Sequence, residues 1–244
     1  MGQTEVMGTI QYRRSQEVEK ADELWVPGTG TRPCYSPCVP SPSEQIVGLY
    51  QRHAAAWDRL RSTDGPFEKP WLDRFLALLE PGASILDVGC GGAEPIAGYL
   101  IRSGYGVTGV DTSGPLLELA RERSPDQEWL EADMRRLALG RRFDGLLAWD
   151  SFFHLTPEDQ RGMFPIFREH ARPGGALLFT SGSERGEAMG ELGGEPLYHG
   201  SLDRAEYADL LAENRFSVVR YVEGDPSCGG HTIWLAQAAP DTPK

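Results

Sequence analysis

The chain has 244 residues, 40% of them hydrophobic and 25% charged, which suits one α/β domain burying a real core and hardly two. Its formal net charge of −12 and pI near 4.9 argue against a nucleic-acid partner, because a phosphate backbone needs a Lys/Arg face, and against docking on anionic membranes. No apolar run approaches the roughly 20 residues of a membrane helix, and the basic-then-apolar order of a signal peptide is missing, so a cytoplasmic chain with reduced cysteines is expected.

Residues 1–42 carry Pro27, Gly28, Gly30, Pro33, Pro37, Pro40 and Pro42 without sustained periodicity, which predicts a disordered or irregular N-terminal extension. Cys34 and Cys38 sit there as an isolated pair. With no second tight pair of Cys or His, no metal site is expected. From Ser43, a plausible N-cap, one helix is predicted over 44–61 and another over 67–79, ending at Glu80-Pro81-Gly82. Apolar runs at 84–88, 106–110, 128–130, 143–149 and 176–180 read as buried strands, separated by helical stretches at 94–102, 115–123 and 157–171. That alternation implies a parallel sheet covered on both faces. A Gly-rich segment over 181–200, read as flexible, is followed by a helix at 203–214. Two strands near 216–222 and 231–236 come last; they lack a helix between them and should pair antiparallel at the sheet edge.

The run Ile85-Leu86-Asp87-Val88-Gly89-Cys90-Gly91-Gly92-Ala93-Glu94 leads from a strand through a glycine bend into a helix. Glycines there allow a sharp turn and close approach of a ligand. Gly89 and Gly91 begin the Gly-x-Gly-x-x-Gly pattern of dinucleotide sites, but its third position is Glu94. A carboxylate at the helix start competes for the amides that would hold a pyrophosphate, so a phosphate-free ligand fits better than NAD. Asp111 follows twenty positions after Gly91, at the end of the second strand, where an acid can accept two ribose hydroxyls. Glu131-Ala132-Asp133-Met134 ends the third strand, Phe143-Asp144-Gly145 opens the fourth, and Arg172-Pro173-Gly174-Gly175 precedes the fifth.

These blocks, in this order, resemble the motifs of class I (Rossmann-like) S-adenosylmethionine-dependent methyltransferases of the small-molecule type. The resemblance implies a doubly wound, mostly parallel seven-stranded sheet with an antiparallel edge strand, over residues 43–238. It implies S-adenosylmethionine (SAM) as cofactor, with Asp87 at its amino-acid end, Gly89, Cys90 and Gly91 beneath it, Asp111 and Thr112 at the ribose, and Asp133 and Met134 at the adenine. Residues 43–80 are then a helical lid contributing Trp57, and 181–202 an acceptor-side insert.

The end of the fourth strand, Trp149-Asp150-Ser151-Phe152-Phe153-His154, forms the reaction floor, because ligands of open α/β sheets sit at the carboxyl ends of strands. Asp150 is expected beside SAM or the acceptor. His154 is a candidate base set against the plainer reading of a packed or capping histidine. His199, with Tyr198, is a candidate acceptor contact set against a surface-loop reading. Tyr50, His53 and Trp57 share one helical face, more often core than lid. The acceptor is expected to be a small molecule, with no nucleic acid and no membrane involved; the oligomeric state is not legible. Two alternatives remain open: a non-catalytic SAM-binding partner subunit, and an NAD(P)-dependent oxidoreductase.

Overall fold

A computed structural model of the chain describes residues 43–61 and 67–240. The expectations for residues 1–42, including those for Cys34 and Cys38, lie outside the described residues. Two helices, α1 (Ile46–Arg61) and α2 (Lys69–Leu76), precede β1 (Ser84–Val88). Then follow α3 (Ile96–Arg102), β2 (Gly106–Asp111), α4 (Gly114–Arg123), β3 (Glu128–Glu131), β4 (Phe143–Ala148), α5 (Pro157–His170) and β5 (Ala171–Ser181). The chain closes with a hairpin of β6 (Gly186–Leu192) and β7 (Glu195–Ser201), helix α6 (Arg204–Glu213), and strands β8 (Phe216–Asp225) and β9 (His231–Ala238).

Seven strands make one sheet in the order β3-β2-β1-β4-β5-β9-β8. The pairs β1–β2, β2–β3, β1–β4 and β4–β5 are parallel, while β9 runs antiparallel to both β5 and β8. The antiparallel strand therefore stands one place inside the edge, and β8 is the edge itself. The crossover from β1 leads to β2 on one side and the crossover from β4 leads to β5 on the other, so the topological switch point lies between β1 and β4.

Side chains alternate between two cores, as the period of a strand demands. Leu86, Val88, Leu177, Phe179 and Trp234 face one layer with α5 and α6. Ile85, Leu178, Ile233 and Leu235 face the other with α2, α3 and α4. The first layer centres on Phe152, fully buried and ringed by Phe164, Phe167, Phe179 and Tyr207. The Arg172–Gly175 turn is absorbed into β5 as an irregularity, with pairing jumping from Phe143↔Ala171 to Gly145↔Ala176.

The Gly-rich segment, expected to be flexible, is regular over most of its length. It folds as the β6–β7 hairpin, turned by Gly193 and Gly194, both at positive φ. Beside the turn, Leu192 and Leu197 pack on Leu49 of α1. Arg52 and His53 of α1 both bind Glu195 of the hairpin. Helix and hairpin thus form one layer over the carboxyl ends of the strands.

Candidate active site

A cleft of about 1180 Å³, counting its open mouth, lies at the switch point. Its floor is the bend after β1. Gly89, at φ +84°, bonds through its amide to the Val110 carbonyl at 2.7 Å. A Cβ on Gly89 would lie 2.2 Å from Cβ of Ser151, whose hydroxyl donates to the Val88 carbonyl at 2.6 Å. The ends of β1 and β4 are therefore stitched together so tightly that only glycine fits. Gly91, at φ +52°, has open space where its Cβ would stand and lines the cleft.

Asp87 and Asp111 face this bend. Each Asp111 oxygen accepts a backbone amide, from Gly91 at 2.9 Å and Ser113 at 2.8 Å, and burial still pushes its pKa up. Asp87 is 3% exposed, lines the cleft, and takes no hydrogen bond or ion pair among the described residues. Burial, reinforced by the charge of Asp111, pushes its pKa up to about 7. Among the described residues it is a carboxylate without a cation. Glu94 folds back over Gly98 to pair with Arg102.

Cys90, Thr112, Asp133, Met134 and Trp57 also line the cleft. Asp133 caps the turn after β3 by accepting the Arg135 amide and pairs with the Arg135 guanidinium. Trp57 meets the Tyr50 ring edge-on at 5.5 Å, and Arg61 lies 6.0 Å over its face. Asp58 fastens α1 to α4 by paired 2.6 Å bonds to Arg123, which also donates to the Gly92 carbonyl.

Past β4, Asp150 adopts φ +49°, an uncommon setting for a residue with a side chain, held by a 3.0 Å bond from its amide to Thr180. Its Oδ1 pairs with His231 at 2.7 Å and its Oδ2 lies 3.8 Å from Arg61, which also binds the fully buried Glu68. Burial opposes charge on both members of the Asp150–His231 pair. Their mutual attraction prevails, holding the Asp150 pKa below the usual carboxylate range and pushing His231 up to about 9. The other His231 nitrogen donates to the Cys228 carbonyl at 2.7 Å. Sequence reasoning missed His231. It stands 81 positions from Asp150 in the chain, and no local motif marks it.

His154 lines the cleft, but not as an exposed base. Its Nδ1 lies 2.8 Å from the Tyr198 carbonyl and its Nε2 2.9 Å from the Tyr50 hydroxyl. A carbonyl only accepts, so Nδ1 carries the proton and Nε2 takes the hydroxyl of Tyr50. Burial pushes the His154 pKa down to about 4, which keeps it neutral. His199 was a candidate acceptor contact; it is buried against Phe153 and His154 and is not among the cleft-lining residues. Tyr198 is likewise buried, in β7, and touches the site through its backbone.

The profile of the methyltransferase-domain family matches residues 85–175. The chain is 35% identical over 195 residues to a malonyl-[acyl-carrier protein] O-methyltransferase from Pseudescherichia vulneris, covering 79% of this chain and 69% of that one. It is 34% identical over 100 residues to a trans-aconitate 2-methyltransferase from Azoarcus sp. (strain BH72), of which the match spans only 39%. It is 33% identical over 98 residues to a dTDP-3-amino-3,4,6-trideoxy-alpha-D-glucopyranose N,N-dimethyltransferase from Streptomyces venezuelae, covering 39% of this chain and 41% of that one. Among solved structures, a Burkholderia thailandensis 1,6-didemethyltoxoflavin-N1-methyltransferase with bound S-adenosylhomocysteine has the same fold. It superposes with TM-score 0.62 at 20% identity, over 84% of this chain and 93% of that one. Magnesium protoporphyrin IX methyltransferase from Synechocystis PCC 6803, with bound SAM, gives 0.63 at 17%, over 84% and 100%.

Proposed function

Because this chain belongs to the SAM-dependent methyltransferases, we propose that its cleft binds SAM and serves methyl transfer to a small-molecule acceptor. The observation that carries the cofactor assignment is Asp87, a buried carboxylate with no cation among the described residues, beside the open backbone of Gly91. A ligand bringing an ammonium group removes the cost of that charge, whereas a pyrophosphate adds to it. In this reading Asp87 orients the amino-acid end, and Gly89, Cys90 and Gly91 pass beneath it. The Asp111 lone pairs left over from its two amide bonds take the ribose, with Thr112 beside it. Asp133 and Met134 border the adenine, and Trp57 on α1 covers the ligand together with Tyr50 as part of a lid.

SAM supplies a methyl carbon already activated by a sulfonium. The protein's share is to align an acceptor and exclude water. Asp150 and the Tyr50 hydroxyl, backed by His154, are the polar groups available at that end. His154 then acts through Tyr50, and His199 is reduced to a packing neighbour of His154. The relatives' names cover transfer to oxygen and to nitrogen.

Calorimetry with SAM, S-adenosylhomocysteine and NADH tests this reading. The first two bind and NADH does not, and Asp111→Ala weakens S-adenosylhomocysteine at least tenfold. Unchanged affinity in Asp111→Ala, or tight binding of NADH, refutes the assignment. A metabolite screen reading S-adenosylhomocysteine release then identifies the acceptor.

A further inference from the structure

The charges around the cleft do not balance. Asp58 is matched by Arg123 and Glu94 by Arg102, while Arg135 serves both Asp133 and Asp159. At the acceptor end, Asp150 is matched by His231, and Arg61 is shared between the buried Glu68 and Asp150. Asp111 has amides but no cation, and Asp87 has neither among the described residues. Among the described residues, Asp87 and Asp111 thus lack a cation, and the two cations nearest the acceptor are already engaged by buried carboxylates.

We propose that the acceptor is an amine and not a carboxylic acid. The proposal rests on SAM being the donor. Bound SAM carries one net positive charge and answers Asp87 and Asp111, while Arg61 and His231 at the acceptor end stay engaged by Glu68 and Asp150. A carboxylate entering there would be desolvated with no unengaged cation among the described residues to meet it, while an ammonium would meet Asp150. Asp150 Oδ2 lies beside Arg61 but is not hydrogen-bonded to it at 3.8 Å, so it is open to accept an N–H. The Tyr50 and Trp57 rings, at 5.5 Å edge to face, add surfaces that favour a cation.

The reaction itself favours nitrogen. The ammonium first loses a proton to solvent. The amine lone pair then forms the new C–N bond as the C–S bond breaks, leaving a neutral thioether and a methylammonium. Positive charge moves from sulfur to nitrogen and stays beside Asp150. Transfer to a carboxylate would instead cancel the sulfonium charge and leave Asp150 beside a neutral ester and a neutral thioether.

The test uses the full chain saturated with S-adenosylhomocysteine, titrated with benzylamine or benzoate at pH 7.5 and low salt. Benzylamine is expected to bind at least tenfold tighter, and the preference should shrink in Asp150→Asn. Equal or tighter binding of benzoate overturns the proposal, as does binding of neither, or S-adenosylhomocysteine release driven by a carboxylic acid in the metabolite screen. If S-adenosylhomocysteine itself fails to bind, the donor assignment falls and this proposal falls with it. Binding of S-adenosylhomocysteine with a preference for the acid removes this proposal alone.

Discussion

Ligand affinity should depend on pH through one carboxyl group. With its folded-state pKa at about 7, Asp87 is half protonated in the ligand-free protein at neutral pH, although an unburied aspartate would titrate near 3.8. An ammonium bound beside it favours the ionised form, so binding must expel the proton. If only the ionised form binds, affinity for S-adenosylhomocysteine falls about tenfold between pH 8 and pH 6, and roughly half a proton is released per ligand at pH 7. Calorimetry in buffers of different ionisation enthalpy measures both quantities.

Two controls separate Asp87 from other groups. Asp87→Asn flattens the pH profile while weakening binding at pH 8, and 5′-methylthioadenosine, which lacks the ammonium, shows no such profile on the native protein. The sign for stability is opposite. A carboxyl whose folded pKa is raised makes the ligand-free fold less stable as pH rises from about 4 through 7. Asp87→Asn should accordingly raise the Tm of the ligand-free protein at pH 8. Native affinity constant from pH 6 to 8 would refute the reasoning.

His231→Gln leaves Asp150 buried with a distant Arg61, at a cost of about 3 kcal/mol at pH 6. Because the His231 pKa is raised from 6.5 to about 9, the pair's contribution is complete below 6.5 and fades as pH rises through 9; the Tm gap between native and variant should therefore close by pH 10. Gly89→Ala meets a positive φ and a Cβ contact of 2.2 Å at Ser151, so a loss of about 2 kcal/mol or more and weakened S-adenosylhomocysteine binding are expected by denaturation and calorimetry. Phe152→Ala opens a cavity among four aromatic rings and should cost about 3–5 kcal/mol by urea denaturation.

The sheet was legible because its strands are short apolar runs separated by helices of ordinary length, and β1 through β5 fall where those runs stand. The hairpin was not. In β6 and β7 the residues show no two-residue alternation of burial, and Gly193-Gly194 reads as a linker until its positive φ values reveal a tight turn. The placement of β9 inside β8 was equally invisible, since two antiparallel neighbours at an edge satisfy the same pattern in either order.

The two halves of the cleft differ in how far sequence carries them, and the reason is contact distance along the chain. Asp87, Gly89 and Gly91 lie within five residues, and Asp111 joins them through the parallel register Asp87↔Gly109 and a bond to the Gly91 amide. A motif can record that geometry. The acceptor end is assembled from α1, the turn after β4, the strand β7 and the start of β9, through Tyr50–His154, His154–Tyr198 and Asp150–His231 contacts spanning 104, 44 and 81 residues. Each of those side chains looks unremarkable in its own segment. His154 has the ordinary credentials of a base in sequence, yet burial and the Tyr50 hydroxyl take that role from it, while His231, silent in sequence, acquires a charge only because folding delivers Asp150 to it. Folding, more than residue type, decides the protonation of both histidines, so the acceptor must be argued from the assembled charges and not from the motifs.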